Sequence, residues 1–237
     1  QVEEPPIPSC EEWGTLNKLR KEKEVVGIFI SGHPLDDFKL EITHFAKGEL
    51  SELNNLESVE GKTFAIAGIC AGFQEKFTKN NKPFGIVKIE DYSDSHEFFL
   101  FGEEYIKYKA YFSQDQFLFI RGQVKARENR WAKPGAAPVE KKLEFNISSI
   151  QLLSEVREKL AKGITIIINY KDVTLEMIEQ LDKLTKNFPG KDNFDIYLLD
   201  IEEGTVGLFS RTKKVTLSNE FFSNLGQISD VEFTINQ

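Results

Sequence analysis

Two clusters of cations, each with aromatic rings nearby, are the residues of this sequence best suited to bind something. Lys76, Lys79 and Lys82 stand against Glu75 alone between Phe73 and Pro83. Further on, Lys125, Arg127, Arg130, Lys133, Lys141 and Lys142 stand against only Glu128 and Glu140, with Trp131 beside Arg130. Cationic side chains attract phosphates and flat rings stack on bases, so the combination suits single-stranded nucleic acid. The chain as a whole opposes that reading, with a formal charge of −8 and a pI near 5.1. Taking the six surplus positive charges of the two clusters from that total leaves about −14 on the remainder. The positive charge is therefore concentrated, as for a protein that meets a polyanion with two loops only.

Signals for catalysis are weak. Asp36 and Asp37 follow Pro34 in what reads as the first turn of a helix, where carboxylates serve the helix dipole. Asp91 and Asp94 flank Ser93 and read as turn residues. His33, His44 and His96 have no ligand spacing and no partner nucleophile, and Cys10 and Cys70 stand alone as reduced thiols. A glycine-rich phosphate loop is missing from the sequence. The expectation is a chain with no catalytic residue, no metal and no cofactor.

The elements that must position the basic clusters follow from periodicity. Pro5, Pro6 and Pro8 mark an extended start. Ser9 and Glu12 form a capping-box pattern before a helix expected to reach Ser31, and Leu35, Phe38, Ile42 and Phe45 mark a second helix ending before Gly48. From Gly61 the period is two. Strands are expected over Lys62–Phe73, Pro83–Tyr92, Ser95–Phe101, Gln116–Lys125 and Lys142–Leu152, with a short helix over Glu103–Phe112 between the third and fourth. Three strands, a helix and two strands is the order of the OB barrel, whose connections between strands 1 and 2 and between strands 4 and 5 flank its binding face. The two basic clusters fall in those two connections. After a linking turn over Ser154–Lys162, strands are expected at Ile164–Ile168, Phe194–Leu199, Thr205–Phe209 and Lys213–Leu217. Helices are expected at Thr174–Phe188 and from Ser218 to Gly226, so the end of the chain reads as a small α/β domain. The fold class is thus β plus α/β: a helical hairpin over 1–50, a five-stranded OB-type barrel over 51–153 and an α/β domain over 154–237.

Strand parity separates packing from binding. Val87, Ile89, Phe98, Leu100, Leu118 and Ile120 are expected inside the barrel. Phe84, Lys88, Phe99 and Arg121 are expected outside, forming with Lys76, Lys79, Lys82, Arg127, Arg130, Trp131 and Lys133 a surface for single strands. Outward aromatics can instead cover a neighbouring helix, and Phe101 is placed to pack on Glu103–Phe112. Trp131 could likewise cap one end of the barrel.

With 237 residues and 40% hydrophobic content the chain can bury more than one core. No stretch has the roughly 18 consecutive apolar residues of a membrane helix, and the charged start lacks a signal-peptide pattern, so a cytoplasmic chain without membrane partners is expected. Gln1 in place of methionine suggests a piece of something longer.

Two stretches carry a family resemblance: Lys23-Glu-Val-Val-Gly-Ile-Phe-Ile-Ser-Gly-His-Pro-Leu-Asp-Asp-Phe38, and Lys82-Pro-Phe-Gly-Ile-Val-Lys-Ile-Glu-Asp-Tyr92 continuing to Phe98-Phe-Leu-Phe101. In this order they resemble the C-terminal part of the bacterial DNA polymerase III alpha subunit. The resemblance implies a segment closing the duplex-binding region, a barrel on single-stranded template and an α/β domain similar to the one that docks the clamp-loader tau subunit. It also implies a sliding-clamp peptide upstream of this chain. The family's catalytic aspartates have no counterpart here. The alternatives are a protein-interaction module docking a partner through Phe84 and Phe99, and an RNA-binding fragment with an OB barrel.

Overall fold

The computed structural model describes residues 12–126, 142–200 and 204–237. Helix α1 spans Thr15–Val26. It begins after Gly14 and stops at Gly27, whose φ of +88° is the left-handed geometry glycine adopts freely. The helix is therefore shorter at both ends than the expected Ser9-to-Ser31 span, and Ser9 lies outside the described residues. A 3-10 turn at Pro34–Phe38 leads into α2 (Lys39–Phe45).

The Gly32-His33-Pro34 segment is a structural clip. His33 Nδ1 accepts from Leu35 N at 3.2 Å, and its own N–H donates to Asp36 Oδ2 at 2.7 Å. The ring lies 4.3 Å from that of Tyr92, whose hydroxyl donates to Asp36 Oδ1. Burial pushes the imidazole below its ordinary pKa, with Asp36 and Glu90 opposing part of that shift, and the acceptor role of Nδ1 requires the unprotonated nitrogen. A depressed folded pKa means that this stabilisation is complete above the unfolded value of about 6.5 and is lost as pH falls through the folded one. Urea midpoints should accordingly drop between pH 7.5 and 5.5. Because burial shifts His44 and His96 in the same direction, His33→Gln should make that pH dependence shallower without abolishing it. An equally steep dependence in the variant would show that the clip contributes nothing.

Five strands follow: β1 (Thr63–Phe77), β2 (Pro83–Glu90), β3 (Ser95–Phe101), β4 (Phe117–Ala126) and β5 (Leu143–Leu152). Their sheet order is β3-β2-β1-β4-β5, with antiparallel neighbours throughout. The first half of β1 pairs with β4 and the second half with β2, the two pairings meeting at Ile69, and a bulge between Cys70 and Gly72 interrupts the β1–β2 register just beyond it. Such a bulge bends a strand, so one long strand serves both halves. The expected closed barrel is not formed by hydrogen bonds: β3 and β5 are the two edges of the ladder. Side chains bridge them instead, with the Phe98 and Phe145 rings 5.6 Å apart. Helix α3 (Gly102–Tyr108) lies between β3 and β4.

A second sheet has the order β8-β7-β6-β9, built from β6 (Gly163–Asn169), β7 (Pro189–Asp200), β8 (Gly204–Val215) and β9 (Glu232–Asn236). β6 and β7 are parallel, joined through α5 (Leu175–Asn187). The short helices α4 (Val156–Leu160) and α6 (Asn219–Leu225) complete the architecture. Thr174 and Ser218 cap α5 and α6, accepting from Met177 N and Phe221 N at 3.1 Å each. Two expected strands, Thr205–Phe209 and Lys213–Leu217, are one continuous strand, β8.

The described residues form two cores. One fills the five-stranded sheet, with Phe64, Ile66, Val87, Ile89, Leu100, Leu118 and Ile120 fully buried. The other fills the α/β sheet but extends outside it, taking in Leu35 and Phe45 from the helical segment and Ala65, Ala67 and Phe119 from the back of β1 and β4. All three segments named from the sequence therefore meet in one apolar cluster. No helix among the described residues is long and apolar enough to cross a membrane.

Candidate nucleic-acid interface

The β1–β2 hairpin carries the first basic cluster. Its turn is held by Thr78 N donating to Lys82 O at 2.9 Å, Asn81 N donating to Thr78 O at 2.9 Å and Lys82 N donating to Thr78 Oγ1 at 3.1 Å. Asn81 takes a φ of +55°, a conformation asparagine tolerates better than most residues. Lys76, Lys79 and Lys82 are exposed around this turn.

β2 and β3 then present an outward ladder of side chains. Phe84 opposes Phe101, Ile86 opposes Phe99 and Lys88 opposes Glu97. The Phe84 and Phe101 rings stack with centroids 5.0 Å apart and planes 19° apart. Phe99 and Phe101 are 53% and 52% exposed, which is high for phenylalanine, while their strand neighbours Phe98 and Leu100 are buried. Phe101 thus does not cover α3 but extends the aromatic face. The register makes this legible: once the Asp91–Asp94 turn closes on Glu90 opposite Ser95, every rung back to Phe84 opposite Phe101 is fixed.

That turn is itself well anchored. Asp91 Oδ1 accepts from Ser93 N and Oγ at 2.7 Å each and from Asp94 N at 2.9 Å, and Oδ2 accepts from Leu50 N at 2.8 Å. Lys23 pairs with Glu90 at the same end, so the helical segment steadies the β2–β3 hairpin. On the inner side, Tyr105 of α3 donates its hydroxyl to Glu75, and this hydrogen bond raises the phenol to a pKa of about 12. Its ring passes over Gly85, where a Cβ would come within 2.8 Å. Glycine at that position lets α3 close against β2 behind the aromatic face.

Arg121 is placed elsewhere. It opposes Ala65 near the start of β1, whereas Phe84 opposes Lys76 near its end, and its guanidinium lies 5.4 Å over the buried Phe119 ring. The structure therefore brings together Lys76, Lys79, Lys82, Phe84, Lys88 and Phe99, adds Phe101, and leaves Arg121 beside the packing between the two sheets. Arg127, Arg130, Trp131 and Lys133 lie outside the described residues. The stem of their connection is defined: Ala126 opposes Leu143, Lys125 and Lys142 are exposed, and Phe145 packs against Phe98 of β3. The first basic connection, at the Lys76–Lys82 turn, borders the β2–β3 face.

Comparisons with known proteins cover up to 77% of this chain. Residues 164–236 match the family described as DNA polymerase III alpha subunit, C-terminal domain. The DNA polymerase III subunit alpha of Escherichia coli K12 is 25% identical over 174 residues, covering 73% of this chain and 14% of that protein. The corresponding subunits of Saccharopolyspora erythraea and Treponema pallidum are 30% and 31% identical over 119 and 118 residues, half of this chain and 10% of theirs. Among solved structures, an Entamoeba histolytica asparaginyl-tRNA synthetase overlaps loosely, at 17% identity and a TM-score of 0.27 over 54% of this chain and 31% of that one. This chain resembles the C-terminal region of bacterial DNA polymerase III alpha subunits, of whose length it spans no more than about 15%.

Proposed function

We propose that this chain is the non-catalytic C-terminal region of a replicative DNA polymerase. In this reading its five-stranded sheet, of OB type, holds single-stranded template DNA, and its α/β domain docks the clamp-loader tau subunit. The observation that carries the template role is the outward ladder Phe84–Phe101, Ile86–Phe99 and Lys88–Glu97 beside the Lys76–Lys82 turn. Exposed rings offer stacking to unpaired bases, and the turn and the second basic connection supply charge along the backbone. The likeness to alpha subunits supports the replicative setting, and the sliding clamp would be met through sequence upstream of this chain.

The experiment is a titration of poly-dT followed by tryptophan fluorescence, at low and high salt. Micromolar or tighter binding that weakens with salt is expected, with a log–log slope of about −0.7 per phosphate neutralised. Absence of salt-sensitive binding at micromolar protein removes the template role. The rival reading, a barrel docking a protein through the same rings, draws on their apolar exposure. It predicts that alanine at Lys79, Lys82, Arg127 and Arg130 leaves all binding unchanged.

A further inference from the structure

The α/β domain leaves an apolar groove open between α5 and the β7–β8 hairpin. Its cavity of about 400 Å³ has buried walls from Leu181, Phe194 and Ile168, while Ile178 and Leu208 at its edge are 51% and 49% exposed. Sites for small polar ligands combine such walls with a few convergent polar groups. Here the polar groups on the wall are engaged with one another. Thr185 Oγ1 donates to Asp182 O at 2.9 Å, Ser210 Oγ accepts from Lys213 N at 2.8 Å, and the Asp182 carboxylate takes both Lys186 and Lys213.

Charge identifies the kind of occupant. Over 163–237 there are seven Lys and Arg against twelve Asp and Glu, yet Gly204–Val215 carries Arg211, Lys213 and Lys214 with no acid. At the rim of the cavity two ammonium groups share one carboxylate, which leaves an excess positive charge there. β8 is also an edge strand of its sheet. We propose that this groove receives a short segment of a partner protein that inserts bulky apolar side chains into the cavity and sets acidic residues against Lys213 and Arg211. A second copy of this chain fits poorly, because two-fold pairing of β8 with itself would oppose like charges. The inference rests on the docking role proposed above for this domain and gives that role a location.

Purified tau subunit from the same species is the probe, titrated onto the chain by calorimetry. Ile178→Glu and Leu208→Glu should each weaken binding at least tenfold. Lys213→Met should weaken it about threefold and reduce its salt dependence. Ile106→Glu, at a somewhat more exposed site on α3, should have no effect. Thermal melts matching the parent chain establish that the variants fold. If the parent chain binds tau and the groove variants bind it equally well, the groove is overturned and the docking role stands. If the parent chain does not bind tau, both fall. A dimer of the parent chain in sedimentation that Ile178→Glu dissociates would assign the groove to a second copy, overturning the proposal.

Discussion

Replacing Phe99 and Phe101 together by alanine should weaken binding of a poly-dT strand by at least about thirtyfold, with little change in stability. Base–aromatic stacking contributes roughly 1–3 kcal/mol per base, and 1.4 kcal/mol is a factor of ten in affinity. Two lost stacks therefore correspond to about 2–6 kcal/mol. Both rings are more than half exposed, so neither is needed to fill the core, although Phe101 gives up its stacking on Phe84. That pair is worth about 0.5–1.5 kcal/mol of stability, a small cost by comparison. Lys88→Ala should act differently, lowering affinity modestly and making the salt slope shallower by about 0.7. Fluorescence titrations at two or more salt concentrations separate the two effects. Should the double variant bind poly-dT within twofold of the parent chain, the β2–β3 face is not the contact surface.

Much of this face was legible in the sequence because strand geometry is simple. Alternation placed Val87, Ile89, Phe98 and Leu100 inside and Phe84, Lys88 and Phe99 outside, and the burial of each follows that alternation. The same reasoning failed to gather Arg121, for a physical reason. Parity tells which side of a sheet a residue takes but not what lies on that side. Behind β2 and β3 the outer surface is open, whereas behind β1 and β4 it is covered by the helical segment and the α/β domain. Nothing in the period of two distinguishes those cases. The merging of two expected strands into β8 has a related cause: Ser210 and Arg211 look like a turn, but the shifted register between Asn193 and Asp195 of β7 accommodates them within one bent strand. The short β9 has no clear signature because its alternation, Phe233 and Ile235 alone, is too brief to stand out. The clip at His33 was visible as a motif, but its role needed the position of Tyr92, which is distant in sequence.

The largest stability loss is expected at Phe119, which shares the parity of Arg121 on β4. Leu118 and Ile120 fill the five-stranded sheet, while Phe119, fully buried, points the other way and packs in the cluster with Leu35, Phe45, Ala65, Leu153 and Ile164. β4 sends it and the partly buried Phe117 across to the second core, and Arg121 lies over the Phe119 ring. Alanine there should cost about 3–5 kcal/mol, combining lost transfer energy with an unfilled cavity. For a chain of this length that corresponds to a fall in melting temperature of roughly 6–20 °C. Phe119→Leu keeps most of the volume and should cost less than half as much. Because the contact joins the two sheets, the alanine variant should also expose the backbone of β1 next to Ala65 and Ala67 to hydrogen exchange, while amides of β2 and β3 keep their protection. Hydrogen-exchange mass spectrometry distinguishes this from uniform loosening. Uniform loss of protection across β1, β2 and β3 would mean that the two sheets unfold as one unit rather than parting at β4.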